Sequence, residues 1–281
     1  MKLGIHAYAW TSEWSNETLD LIDRVKSMGL DFIEIPLMRL DRFDAAAVRG
    51  RLEAAELDAV TSSALPLECD VTSDDPAVRA RGREYLKACV RATAAIGARS
   101  FSGVIYSAHA RALSRRPGGD DWRHAAEALV EAGELAEAEG VIIGIEPVNR
   151  YETFLVNTCS QALRLKEMTA LDCVKIHLDT YHMNIEEKSF YDATVLAGDD
   201  LIHYHLCEND RGIPGTGLVD WDGVFSGLAD IGYTGNAALE SFVDITDNMN
   251  TWVWRQLAAD GDTLLSEGIA FIRSMQEKYG L

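Results

Sequence analysis

Short apolar runs rich in β-branched residues recur along the chain, and a segment with apolar positions three and four apart follows each. The first pattern predicts a buried strand and the second an amphipathic helix. Residues 3–9, 31–36, 58–63, 100–105, 141–146, 174–179, 201–205 and 236–240 read as strands. The spacing predicts helices over 16–28, 44–56, 76–96, 122–139, 159–168, 191–197, 221–230 and 252–278. Their ends carry the expected signals. Asp44 stands at a cap position, Pro76 opens a helix, and Gly29 and Gly97 close two others. Residues 106–120, which include Arg115-Arg116-Pro117-Gly118-Gly119, read as a solvated connection.

Regular alternation of strand and helix implies parallel strands joined by crossover helices. Eight such units in 281 residues match a closed (β/α)8 TIM barrel, with residues 1–281 as a single domain. The turn after the first strand, residues 9–15, has no glycine, which excludes a dinucleotide fingerprint there.

Polar residues interrupt the apolar runs at one recurring place. Four successive strands end in Glu146, Asp179, His205 and Glu240. Strand C-termini of a barrel converge on one mouth, so these four residues share it. A carboxylate at the end of a buried strand is costly unless it is paired or bound to a cation. Three carboxylates and one imidazole make a hard donor set suited to Mn²⁺, Mg²⁺ or Co²⁺. Four protein ligands would leave about two octahedral positions for neighbouring substrate oxygens. Glu152, His182 and Arg211 follow just beyond these strand ends in predicted loops, placed to grip a polar, hydroxyl-rich ligand. His177 and His203 lie one layer deeper and read as hydrogen-bonded core histidines.

The bulk properties narrow the partners. Apolar residues make up 47% of the chain, enough for a sizeable core. The formal net charge of −19 opposes nucleic acid and anionic membrane as partners. The five cysteines (Cys69, Cys89, Cys159, Cys173, Cys207) show no metal or redox spacing and read as reduced, buried, small apolar residues. The chain shows neither a leader pattern nor a run of membrane-spanning length, so a cytoplasmic location is expected.

Two stretches, Ile143-Gly144-Ile145-Glu146-Pro147-Val148-Asn149-Arg150-Tyr151-Glu152 and His177-Leu178-Asp179-Thr180-Tyr181-His182-Met183-Asn184, resemble signatures of the ketose 3-epimerases within the xylose-isomerase-like barrels. That family includes D-tagatose 3-epimerase and D-psicose (D-allulose) 3-epimerase. Arg211-Gly212-Ile213-Pro214-Gly215-Thr216-Gly217, Leu239-Glu240-Ser241-Phe242, and the opening Gly4-Ile5-His6 with Trp14 fit as well. The resemblance implies that Glu146, Asp179, His205 and Glu240 bind Mn²⁺ or a similar ion. It also implies that Glu152, His182 and Arg211 contact a sugar near its carbonyl end. His6, residues 62–64 and Tyr106-Ser107 depart from better-known members along the substrate wall.

The expected reaction is epimerisation of a free ketose at C3, on pairs such as D-fructose/D-psicose, D-tagatose/D-sorbose or L-ribulose/L-xylulose. A metal ion would polarise the carbonyl and stabilise an enediolate, while Glu146 and Glu240 would act as an acid/base pair on opposite faces. Trp14 and Phe242 would form an apolar wall. The alternatives are a hydroxypyruvate or aldose–ketose isomerase on the same scaffold, or an inosose-type dehydratase. A homodimer or homotetramer is expected. Gly215-Thr216-Gly217 has the composition of a phosphate cradle, but the only cation of that loop is Arg211, already assigned to the carbonyl end.

Overall fold

The computed structural model describes residues 1–242, 253 and 255–281. Eight strands close into a parallel barrel in sequence order, with β8 returning to β1. They are β1 (Lys2–His6), β2 (Phe32–Pro36), β3 (Asp58–Leu65), β4 (Ser100–Ala108), β5 (Ile142–Ile145), β6 (Val174–Asp179), β7 (Leu201–Leu206) and β8 (Asn236–Leu239). Around them stand α1 (Asp20–Ser27), α2 (Ala45–Ala55), α3 (Pro76–Ala95), α4 (Gly119–Glu139), α5 (Cys159–Thr169), α6 (Thr180–Glu186), α7 (Phe190–Ala197), α8 (Trp221–Asp230) and α9 (Gly261–Tyr279). The caps match the sequence signals. Asp44 accepts from the Ala46 and Ala47 amides, and Asp75 caps α3 with Pro76 in the first turn.

Alternate residues of each strand face the helices or the barrel interior. Ile5, Ile33, Ile35, Phe101, Ile143, Ile145, Ile176 and Leu178 are fully or almost fully buried in the main apolar core. A separate small cluster of Phe32, Val60 and Ala238 plugs the interior. Towards the mouth the interior turns polar, with His6, Glu34, His177, His203 and His205 all buried. Gly144 makes room for that layer. A Cβ there would stand 2.8 Å from Ser102 Cβ and 3.4 Å from His177 Cβ.

Several details differ from the sequence reading. β1 ends at His6, and residues 7–9 form a 3₁₀ turn in which His6 Nδ1 accepts the Tyr8 amide. β4 continues to Ala108, so the following connection starts later than residue 106. That connection is also tied down, because Arg111 pairs with Asp70 and Arg115 with Asp121. Asp179 accepts the Tyr181 amide at 2.7 Å and caps α6, so His182 sits on a short helix and not in a loop. The last helix begins at Gly261, capped by Asp260, and the expected start at 252 lies outside the described residues. No helix among the described residues is long and apolar enough to cross a membrane.

Candidate metal centre and its surroundings

The four expected strand-end residues meet. His205 Nδ1 lies 3.2 Å from Glu240 Oε2, 3.6 Å from Glu146 Oε1 and 3.7 Å from Asp179 Oδ2. All four side chains are buried. Glu146 stands one residue past β5 and Glu240 one past β8, while Asp179 closes β6 and His205 lies inside β7. His205 Nδ1 has no hydrogen-bond partner, although it is buried and aimed among three carboxylates. An unpartnered imidazole nitrogen beside three hard oxygens is what a divalent cation requires, so the donor set fits such an ion. Ligand atoms of Glu146, Asp179 and His205 lie within 4.8 Å of one another, as do those of Asp179, Cys207 and Glu240.

Arg211 reaches the same centre. Its Nη1 donates to Asp179 Oδ2 at 2.9 Å, to Glu240 Oε2 at 2.5 Å and to Cys207 Sγ at 2.8 Å. The guanidinium stacks 4.1 Å over the Tyr181 ring and 5.3 Å from the Phe242 ring. Arg211 has φ +66°, a left-handed backbone unusual for a residue with a side chain. The Ser241 hydroxyl donates to the Arg211 carbonyl and helps hold that conformation.

Asn149 links two of the expected sugar grips. Its amide Nδ2 donates to Glu152 Oε1 at 2.8 Å and lies 2.9 Å from His182 Nδ1, which also accepts the Asn149 backbone N–H. His182 Nε2 faces the centre, 3.4 Å from Arg211 Nη2. The same Nε2 atom is 3.7 Å from Asp179 Oδ2 and 4.0 Å from Glu146 Oε1. Glu152 also pairs with His109 at 3.0 Å.

The carboxylates have opposed acidities. Burial dominates at Glu146 and raises its pKa above the usual carboxylate value. Burial would raise Glu240 too, but Arg211 and His205 outweigh it and hold Glu240 well below that value. Asp179 is lowered in the same way, with Arg211 and His182 overcoming its burial. Glu152 is brought down to about 2, since His182, His109 and Arg211 outweigh its burial.

His6 and Phe242 join the rim of this group. The His6 ring centroid is 5.8 Å from that of His205, and Tyr8 lies between His6, at 4.3 Å, and Phe242, at 5.7 Å. Trp14 is buried in the main core with its indole N–H unpartnered. Among the described residues its indole N–H makes no hydrogen bond to the centre.

Some expectations need correction. His203 is hydrogen-bonded, to Glu34 at 2.7 Å. His177 is not: both its ring nitrogens lack partners, and burial holds its pKa well below the usual histidine value. Cys207 is no inert packing residue, since its sulfur accepts from Arg211 inside the centre. Cys69 and Cys173 are only partly buried. The glycine loop is no phosphate cradle. Glu208 Oε2 takes the Gly215 amide at 2.9 Å, and a Cβ on Gly217 would fall 2.2 Å from Asn209 Oδ1.

Three buried residues escaped the sequence reading: Glu34, Asn149 and Glu208. Glu34 carried a signal, being the one charge in the strand Phe32-Ile33-Glu34-Ile35-Pro36, paired in register with His6. A wide hollow of about 900 Å³ opens at the other end of the barrel, lined by strand starts such as Lys2, Asp58, Ser100 and Asn236. It contains none of the residues of the centre, and that end of a TIM barrel serves stability more than chemistry.

Comparison with known proteins adds to this geometry. Residues 22–275 match the model of the xylose isomerase-like TIM barrel family. The chain is 34% identical to the L-ribulose 3-epimerase of Mesorhizobium japonicum over 276 residues, covering 96% of this chain and 93% of that protein. It is 36% identical to the ketose 3-epimerase of Arthrobacter globiformis, covering 97% and 96%. The crystal structure of D-allulose 3-epimerase from Methylomonas sp. in complex with D-allulose superposes with a TM-score of 0.93 at 33% identity, covering 98% of this chain and 97% of that one. The chain therefore belongs to the ketose 3-epimerases, a family of isomerases built on the xylose isomerase-like TIM barrel.

Proposed function

We propose that the chain, acting as one barrel domain, epimerises free ketoses at C3, with D-fructose, D-psicose, D-tagatose and L-ribulose as the substrate class. The observation that carries this reading is the pair Glu146 and Glu240, which converge on His205 with acidities driven in opposite directions. Two carboxyl groups whose environments separate their pKa values make a natural acid and base.

Glu146, Asp179, His205 and Glu240 would hold the cation, with Mn²⁺ the first choice and Co²⁺ or Mg²⁺ alternatives. When bound, the ion would polarise the C2 carbonyl and offset charge that develops on its oxygen. Glu240, kept ionised by Arg211 and His205, takes the C3 proton of one epimer. Glu146, whose pKa burial raises, returns a proton to the opposite face. The two exchange roles in the reverse direction. Arg211 and His182 steady negative charge spreading onto O2. Glu152, fixed by Asn149 and His109, orients the hydroxyls further along the sugar. His6 and Phe242 form the wall, with Tyr8 joining them, while Trp14 lies behind it in the main core.

Arg211 is the only buried lysine or arginine among the described residues, and the centre already uses it twice. The substrate is therefore a free sugar and not a sugar phosphate. The test is incubation with a panel of ketoses and Mn²⁺ in D₂O, read by chromatography and NMR. C3 epimers with one solvent deuterium at C3 are expected. An aldose product, or epimers without solvent deuterium, would refute the reading.

A further inference from the structure

Beneath the carboxylates of the metal centre lies Glu34, fully buried on β2. No lysine or arginine pairs with it among the described residues; its ionic partners are three histidines. Its Oε2 accepts from His203 Nε2 at 2.7 Å and from His205 Nε2 at 2.9 Å. A carboxylate only accepts, so both rings must carry a hydrogen on Nε2. His205 then presents Nδ1 to Glu240, Glu146 and Asp179, the atom that has no hydrogen-bond partner of its own.

The geometry poses a competition. Were the His205 hydrogen on Nδ1, it could bond to Glu240 at 3.2 Å, and the nitrogen would be lost as a ligand. Glu34 pulls from the other side at a shorter distance and without solvent to screen it. The outcome of that competition fixes which ring atom faces the cation.

We infer that Glu34 is a positioning residue of the metal centre: by accepting from His205 Nε2 it holds Nδ1 as a free lone pair among Glu146, Asp179 and Glu240. The inference rests on the metal-dependent reading above. An acidic or carbonyl partner behind a metal-bound histidine fixes the ring's tautomer and raises its basicity, and losing it typically costs about 10–100-fold in metal affinity.

Glu34 also reaches the substrate wall. Its Oε1 has no hydrogen-bond partner and stands 3.7 Å from His6 Nε2. His6 Nδ1 accepts the Tyr8 amide, so the hydrogen of a neutral His6 lies on Nε2, which is also 3.1 Å from Ser62 Oγ. One carboxylate thus holds a metal-facing ring and stands beside a wall residue.

The test is Glu34→Gln, which keeps the shape and one carbonyl acceptor but removes the charge. Mn²⁺ is titrated calorimetrically into the metal-stripped wild type and variant, with melting of both recorded without metal. A 10–100-fold loss of affinity is expected, with the metal-free melting temperatures close. Affinity within about twofold of wild type would overturn the inference, as would an affinity loss fully accounted for by lost folded protein. A second measurement needs no variant. Long-range ¹⁵N imidazole spectra of the wild type with Mg²⁺ should show His205 protonated on Nε2 and bare at Nδ1. A proton on Nδ1 would overturn the inference even if Glu34→Gln fails to fold. A wild type that binds no divalent ion would instead sink the functional reading itself.

Discussion

Glu208 offers the sharpest test of how the loop carrying Arg211 is held. Its side chain is fully buried, and no cation pairs with it among the described residues. Four N–H groups satisfy it: Oε1 accepts from the Asn209 and Val219 amides at 2.9 and 3.0 Å, and Oε2 from the Gly215 amide and the Trp221 indole at 2.9 and 3.1 Å. Glu208→Gln replaces one oxygen with an NH₂ group, so two N–H donors would face a donor whichever way the amide turns. Two charge-assisted hydrogen bonds at about 1.5–3 kcal/mol each predict a loss of about 3–6 kcal/mol. At roughly 2 °C per kcal/mol for a chain of this size, the melting temperature should fall by about 6–12 °C. Because Arg211 lies three residues on with a left-handed backbone, kcat/KM should fall as well. Differential scanning calorimetry with steady-state kinetics on the same preparation reads both. A variant melting within 2 °C of wild type would refute the idea that this carboxylate organises the loop.

The same geometry sets other outcomes. Dialysis against EDTA should abolish turnover and Mn²⁺ or Co²⁺ should restore it; full activity in protein shown to be metal-free by elemental analysis would contradict the centre. Glu240→Gln and Glu146→Gln should each lower kcat by at least about 10²–10⁴, with metal content measured alongside, and a metal-replete variant of near-normal turnover would rule out the two-carboxylate scheme. D-Fructose should exceed D-fructose 6-phosphate in kcat/KM, and a tenfold preference for the phosphate would reassign Arg211. Glu152 is lowered from 4.5 to about 2 on folding, so its contribution is present above the unfolded pKa and is lost as pH falls towards 2. The stability gap between wild type and Glu152→Gln, about 3 kcal/mol at pH 7, should therefore shrink between pH 5 and pH 3. A gap in urea unfolding that stays constant or widens over that range would show that the carboxylate is not held ionised by its neighbours.

The barrel was legible because its strands are nearly all apolar, so each polar exception marks a special place. Glu146, Asp179, His205 and Glu240 stood out as strand ends, and the closed sheet brings them together. Glu34 had the same kind of signal but sits inside its strand, where a single acid resembles an outward polar residue until the register pairs it with His6. The helix under His182 leaves little trace in the sequence, because α6 has only seven residues and its cap, Asp179, also reads as a metal ligand. Glu208 and Asn149 act through backbone amides of their own loops, and those contacts leave no periodic trace. The glycines at 215 and 217 resembled a phosphate turn because composition cannot tell whether a loop's amides are free; here Glu208 takes the one at 215.

The interior of the barrel is graded, and the grading explains why one scaffold can hold so much negative charge. Phe32, Val60 and Ala238 form a dry plug. Above it Glu34 Oε2 accepts from His203 and His205, which turns His205 towards the carboxylates. Glu146, Asp179 and Glu240 come next, with Arg211 the only buried fixed cation among the described residues. Acids exceed permanent positive charges in this column, and the chain as a whole carries −19. Desolvated negative charge of that density is tolerable only if a cation joins it or a carboxyl keeps its proton. The centre offers both routes, through an unpartnered imidazole nitrogen for the ion and a burial-raised Glu146 for the proton. The same excess opposes a phosphorylated substrate and favours a neutral sugar, whose developing negative charge, on the proposed mechanism, would be small, local and beside Arg211.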